Sequence, residues 1–208
     1  MSELDLVTED NKPTAGFSVV GKKRSIIIDG DSRDPLAATP TERLAAMTPM
    51  APVSGGKYKP VRRTLADAGC TTGETVVGVA ETTMFAVGDV VEVVGQATPT
   101  AAADAMGTIE SIVAGVSITL ASTSTTGVSS GDIIEVAENA RADDAVLLLA
   151  EIDLRDTGGD AVDKGSAGVI DGQAKHSALN YCSSGGICTT RLEYELDQFD
   201  FIPATAGA

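Results

Sequence analysis

The sequence predicts a mainly β protein, and three observations carry that prediction. Aromatic residues are scarce, with four Phe, three Tyr and no Trp, while 22 Gly and abundant Ala, Val and Thr supply the vocabulary of short strands and tight turns. Five short apolar runs follow Leu65 at the spacing of a sandwich or small barrel: Thr75 to Ala80, Val90 to Val94, Gly107 to Val113, Val116 to Ala121 and Ile133 to Ala137. The phrase Gly88-Asp89-Val90-Val91-Glu92-Val93 also returns as Gly131-Asp132-Ile133-Ile134-Glu135-Val136, 43 positions later.

The elements follow in chain order. Residues 1–16 are polar and charged and read as a flexible tail. Phe17 to Val20 and Ile26 to Ile28 flank the basic knot Lys22-Lys23-Arg24 and end at Asp29-Gly30, which predicts one or two strands. Thr39 is placed as the N-cap of a short helix, with Pro40 at its first position and Glu42 completing a capping box. Leu44-Ala45-Ala46-Met47 continues that helix, and Pro49 and Pro52 end it. Such a segment builds no core of its own, so residues 1–45 read as an extended N-terminal arm. Val53 to Val61 reads as a turn and then a strand.

The repeat comes next. Each copy combines a strand, a Thr/Ser-rich loop, a Gly-Asp turn and a strand whose Glu faces solvent. Glycine supplies the positive φ of the turn, and Asp bonds the backbone two residues on. Two copies predict a duplicated hairpin unit that closes one small acidic barrel at residues 66–139; a solenoid needs at least three. Beyond it, Ala145 to Ala150 is a continuous apolar run suited to a central buried strand. Glu151 to Lys164 reads as a loop, Gly165 to Gly172 as a strand and Lys175 to Tyr181 as one helical turn. Arg191 to Leu196 alternates like a strand, and Phe199 and Phe201 anchor the tail before Pro203.

Charge is unevenly spread over a net of −15. Residues 1–63 hold ten Lys/Arg against eight Asp/Glu, and the rest of the chain holds five against 22. Between Arg63 and Arg141 stand ten acids and no base. Such a surface repels phosphate, which argues against nucleic-acid binding. No apolar run approaches the roughly 18 residues of a membrane span, and the acidic N-terminus shows no secretory pattern, so synthesis in a cytoplasm is expected. The three cysteines, Cys70, Cys182 and Cys188, make neither a disulfide framework nor a zinc site. Cys182 and Cys188 flank a Ser/Gly turn, so a bridge between them stays open; small half-buried hydrophobes is the simpler reading.

Chemical motifs are few. Asp156-Thr157-Gly158 spells the aspartic-protease triplet, but that mechanism needs two carboxylates sharing a proton, and there is no second copy. Asp156 therefore reads as a turn residue. Asp156, Asp160 and Asp163 lack the EF-hand spacing. His176 is the chain's single histidine and builds no triad. No phosphate- or dinucleotide-binding motif is present. The residues point to a non-enzymatic scaffold without cofactor or metal.

Two stretches bring in a resemblance. Ala46-Met47-Thr48-Pro49-Met50, followed by Gly56 to Val61 with Tyr58, resembles the opening of the lambda-type phage head decoration proteins. Ala145 to Asp153, the loop Thr157 to Ala161, Gly168 to Gly172 and Ser177 to Asn180 resemble a later segment of the same family. Phe85-Ala86-Val87-Gly88-Asp89 is similar to modules of phage head and tail structural proteins. The resemblance implies a decoration-like core at residues 46–65 and 140–208, interrupted by the 66–139 barrel. It also implies a cement protein on the outer surface of the expanded capsid, a homotrimer at three-fold axes, with the major capsid protein as partner.

In that reading the arm docks by strand addition. Phe17 to Asp29 extended spans about 40 Å at about 3.3 Å per residue. Phe17, Val19, Val20, Ile26, Ile27 and Ile28 would pair with a sheet edge, while Lys22, Lys23 and Arg24 meet an acidic capsid surface. The acidic insertion would point outward. The rival expectation is a host- or glycan-binding module of a head fibre or tail, against which the scarcity of aromatics counts.

Overall fold

The computed structural model describes residues 17–35, 42–137, 145–175, 179 and 186–202. It is mainly β and holds one closed barrel, built from β2 (Lys23–Ile28), β4 (Pro49–Pro52), β5 (Tyr58–Pro60), β12 (Val146–Leu148) and β14 (Lys164–Val169). The strand order is β12-β14-β2-β5-β4, and β4 pairs with β12 to close the ring. Alternation sets the two faces of β2: Ile26 and Ile28 are buried, and Ile27 between them is 53% exposed. β12 is buried along its whole length, as its unbroken apolar run predicts. Its Val146 approaches β14 so closely that a Cβ on Gly168 would lie 2.4 Å from Val146 Cγ2, so only glycine fits there. Ile26, Ile28, Leu44, Met50, Tyr58, Val146, Leu148 and Leu154 fill the barrel.

A six-stranded sheet is spliced between β5 and β12. It comprises β6 (Arg63–Leu65), β7 (Val76–Gly78), β8 (Val90–Val94), β9 (Asp104–Val113), β10 (Ser117–Leu120) and β11 (Ile133–Val136), in the order β6-β11-β8-β9-β10-β7. The five runs expected after Leu65 are all strands. The sheet rolls until its edges meet: Ala66 bridges Val79, and Ala80 N–H donates to Leu65 O at 2.9 Å. A separate core fills it, including Val77, Val91, Val93, Ile109, Ile118, Leu120, Ile134 and Val136.

The repeat is a duplicated three-strand unit. Its copies lie side by side and antiparallel, with Glu92 opposite Glu135 and Val93 opposite Ile134. In each copy a four-residue turn precedes the strand. Asp89 N–H donates to Ala86 O and Asp132 N–H to Ser129 O, with Gly88 at φ 95° and Gly131 at φ 89°. That is a type II arrangement, which needs glycine at its third position. The aspartate carboxylates reach back to the amides of Ala86 and Ser129, three residues earlier rather than two residues on. Gly88 and Asp89 then exchange backbone bonds with Ile109, just as Gly131 and Asp132 do with Ala66. Ala66 and Ile109 are again 43 positions apart.

The remaining elements brace these two bodies. β1 (Phe17–Val20), β15 (Gly172–Lys175) and β16 (Phe199–Ile202) form a three-stranded sheet, and β3 (Arg43–Leu44) pairs with β13 (Ile152–Asp153). One α-helix, α1 (Gly186–Glu195), is described, and no described helix is long and apolar enough to cross a membrane. A further core joins everything: Met47, Val61, Val94, Ile133, Leu147, Val169, Leu192, Leu196 and Phe199 pack together. Phe201 lies against it, its ring 6.0 Å from that of Phe199.

Several expectations need correction. The helix expected after Thr39 is absent where described: Arg43–Leu44 is a strand and Ala46-Met47 a turn, with Met47 at φ 66°. Residues 39–41 lie outside the described residues. Arg191 to Leu196 belongs to α1 and its last turn rather than to a strand, because Leu192 and Leu196 meet the core from one helix face. Arg63–Leu65, assigned to the decoration-like core, belong to the six-stranded sheet through β11. Lys23–Ile28 and Arg43–Leu44, assigned to an extended arm, pair inside the fold. Of the helical turn expected at 175–181, Lys175 ends β15 and most of the rest lies outside the described residues.

Candidate functional site

The expected docking arm divides into two parts. β2 pairs antiparallel with β14 over six positions, from Lys164↔Ile28 to Val169↔Lys23, and runs parallel to β5 at Ile28↔Tyr58. The edge toward β14 is paired along the whole strand, and the other meets β5 at Ile28. Ile26, Ile27 and Ile28 pair with Ser166, Gly165 and Lys164, and Ile26 and Ile28 are core side chains, so this stretch is a barrel strand rather than a free arm. The sequence pattern specified a strand but not its partner.

β1 is placed differently. Phe17, Val19 and Val20 pair with Ala174, Gln173 and Gly172 on one side, and β1 is an edge strand among the described residues. Gly21 and Lys22 link β1 to β2, and Lys23 and Arg24 of the basic knot already belong to β2. Lys22 N–H donates to Asp171 Oδ1, and its ammonium lies 3.9 Å from Asp171 Oδ2 with 83% of the side chain exposed. Lys23 is exposed, whereas Arg24 Nη1 donates to Tyr58 OH at 2.9 Å. Lys22 and Lys23 thus face solvent, and Arg24 is partly committed to the barrel. Gly21 makes the link possible, since a Cβ there would collide with Asp171.

The residues that carry the family resemblance meet where the barrel closes. Met47 N–H donates to Leu148 O at 2.8 Å, and Leu148 N–H returns to Thr48 O at 3.0 Å. The Thr48 hydroxyl, fully buried, donates to Ala45 O at 2.7 Å. Pro49 pairs with Leu147, and Val61 N–H donates to Pro49 O. Tyr58 is buried with its hydroxyl held by Arg24.

The acidic motifs are structural. Asp156 Oδ1 accepts the amides of Gly158 at 2.8 Å and Asp160 at 2.9 Å, the geometry of an Asx turn. Asp163 is turned elsewhere: it accepts Gly30 N–H and pairs with Lys57 at 2.7 Å, a hydrogen bond that lowers its pKa and raises that of Lys57. Arg155 donates to Glu42 from Nε and Nη2, and that bond holds the Glu42 carboxyl below the usual range. Burial raises the pKa of Cys70. Cys182 and His176 lie outside the described residues. Cys188 lies in α1, on the part of the helix whose side chains are not described.

One cluster escaped the sequence reading. Glu135, expected in solvent, is fully buried between Arg63 and Arg191. Arg191 donates Nε and Nη2 to the two Glu135 oxygens at 2.9 and 2.6 Å, and Nη1 to the carbonyls of Pro99 and Ala101. Arg63 donates to Glu135 and also to Glu195, one turn after Arg191 on α1. This network pins the C-terminal helix and the 95–103 loop to the outer face of β6 and β11. The signal was present: Arg63 is the last base before the base-free stretch, and Arg191 and Glu195 stand four apart, neighbours on a helix.

No family model, curated protein or solved structure matches the chain.

Proposed function

We propose that this chain is a non-enzymatic capsid decoration protein that binds the outer surface of the expanded major capsid lattice, as a trimer at its three-fold axes. One observation carries the reading. The two stretches that resemble lambda-type decoration proteins lie far apart in sequence, yet they are adjacent strands of one barrel, with Val146 opposite Met50 and Leu147 opposite Pro49. The six-stranded module leaves the barrel between them, as an insertion into a decoration-like core would. The docking element is narrowed accordingly. β1, with the residues before it, takes the role first given to the whole of residues 17–28, because β1 is an edge strand among the described residues and β2 lies within the closed barrel.

Binding only the expanded shell would stabilise that state by mass action, and many modest contacts would act together on a lattice. Sedimentation with expanded and unexpanded shells of the source phage tests this. Saturation near one copy per capsid subunit on expanded shells alone is the expected result. A few copies per particle would favour a fibre or tail module, and binding to neither shell would remove the proposal. A chain lacking residues 1–16 is expected to coat shells more weakly; undiminished affinity would free the arm of this role.

A further inference from the structure

The seam between α1 and the six-stranded sheet holds more carboxylates than guanidiniums. Arg63 of β6 and Arg191 of α1 supply two positive charges. Glu135 of β11 and Glu195 of α1 answer them, and Glu92 of β8 stands opposite Glu135 in the ladder, on the same face of the sheet. Glu135 uses both of its oxygens. Glu195 does not. Its side chain is 8% exposed, Oε1 accepts from Arg63 and lies 3.5 Å from Arg191 Nε, and Oε2 is buried with no hydrogen-bond partner among the described residues. A bare oxygen on an ionised, enclosed carboxylate is costly. A neutral carboxyl removes most of that cost: Oε1 remains an acceptor for Arg63, and the proton sits on Oε2.

We propose that docking of α1 onto the six-stranded sheet takes up one proton from solvent, which resides on Oε2 of Glu195. The reaction is a simple protonation, Glu195 carboxylate plus a solvent proton giving the carboxyl, with no other bond made or broken. Burial favours it, and so does the negative charge of Glu135; Arg63 and Arg191 oppose it, and burial outweighs them. The sign follows from linkage. A carboxyl raised in the docked state contributes most below the ordinary glutamate range, and its contribution is lost as pH rises through the raised value. The helix therefore loosens toward alkaline pH, opposite to the usual behaviour of a paired carboxylate. This device does not depend on the capsid reading, since it concerns how the chain holds its own helix.

Hydrogen exchange of residues 186–196, corrected for intrinsic base catalysis, tests it in the full chain and in Glu195→Gln from about pH 5 to about pH 8. In the wild type the corrected opening should grow with pH, approaching about tenfold per unit where one proton is linked. In the variant it should be flat. Infrared absorption of a protonated carboxyl should be present in the wild type at about pH 6 and lost in the variant. A flat wild-type profile, parallel profiles or an unchanged infrared band would each overturn the proposal. So would a variant that fails to fold, because glutamine replaces a protonated carboxyl almost atom for atom.

Discussion

In the first copy of the repeated phrase, Glu92 sits half-buried across from Ala105; in the second, Glu135 sits fully enclosed between two guanidiniums. The turns differ in the same way. Arg62 grips Asp89 through two hydrogen bonds at 2.8 and 3.1 Å, whereas among the described residues Asp132 accepts the amides of Gln96 and Ser129. The backbone of the two copies is equivalent, down to the bonds exchanged with Ile109 and Ala66. The repeat thus dictates chain geometry, while the flanking segments decide what each side chain does. A stretch without a single base can turn an acidic face inward because Arg63 and Arg191 come from outside it.

The sharpest way to break the comparison is to remove the two glutamates separately. Glu135→Ala leaves two buried guanidiniums uncompensated and should cost about 3–5 kcal/mol in urea unfolding. Glu92→Ala should cost about 1 kcal/mol or less, and equal losses would mean that the seam is not what separates the copies. The aspartates come next. Asp89→Ala and Asp132→Ala should each cost about 1–3 kcal/mol, and only the first loss should shrink in high salt, because among the described residues Asp89 pairs with Arg62 and Asp132 with no cation.

Gly88→Ala and Gly131→Ala force positive φ on a residue with a Cβ and should each cost about 1–2 kcal/mol. Gly131 should be the worse, since its Cβ would lie 2.8 Å from Gln96 Oε1 while that of Gly88 meets open space. The smallest effect concerns a partly buried carboxyl whose shift is opposite in direction to that of Glu195. Glu42 is lowered by its bond to Arg155, so its contribution is present above the ordinary glutamate range and lost as pH falls through the lowered value. Arg155→Ala should flatten that part of the acid limb of a stability profile.

Local pattern made the six-stranded module legible. Period-two runs bounded by Gly-Asp turns specify strands, and the turn glycines take positive φ as expected. Asp156 was readable as a turn residue for the same reason. Pairing partners were not readable. Ile26-Ile27-Ile28 announces a strand, but its neighbour β14 lies over 130 residues further on, and nothing local separates a barrel strand from a docking arm. Arg191-Leu192-Glu193-Tyr194-Glu195-Leu196 satisfies both a two-residue and a four-residue period, and the helix prevails because Glu135 and the shared core reward one face. The buried network was hidden because a glutamate on an alternating strand ordinarily marks the solvent side.

The splice between β5 and β12 also orders events in time. As the chain leaves the ribosome, β4 and β5 emerge early, but the strand that closes their barrel follows only after the whole module. Closing so long a loop is entropically unfavourable while the loop is slack. The module's core draws on residues 66–136 alone, so it can collapse first and bring the two halves of the barrel together. Amides of β8 and β11 should then gain protection before those of β12 in pulse-labelled refolding. Ile26 and Ile28 wait through all of this, exposed on a nascent strand whose partner has yet to be made.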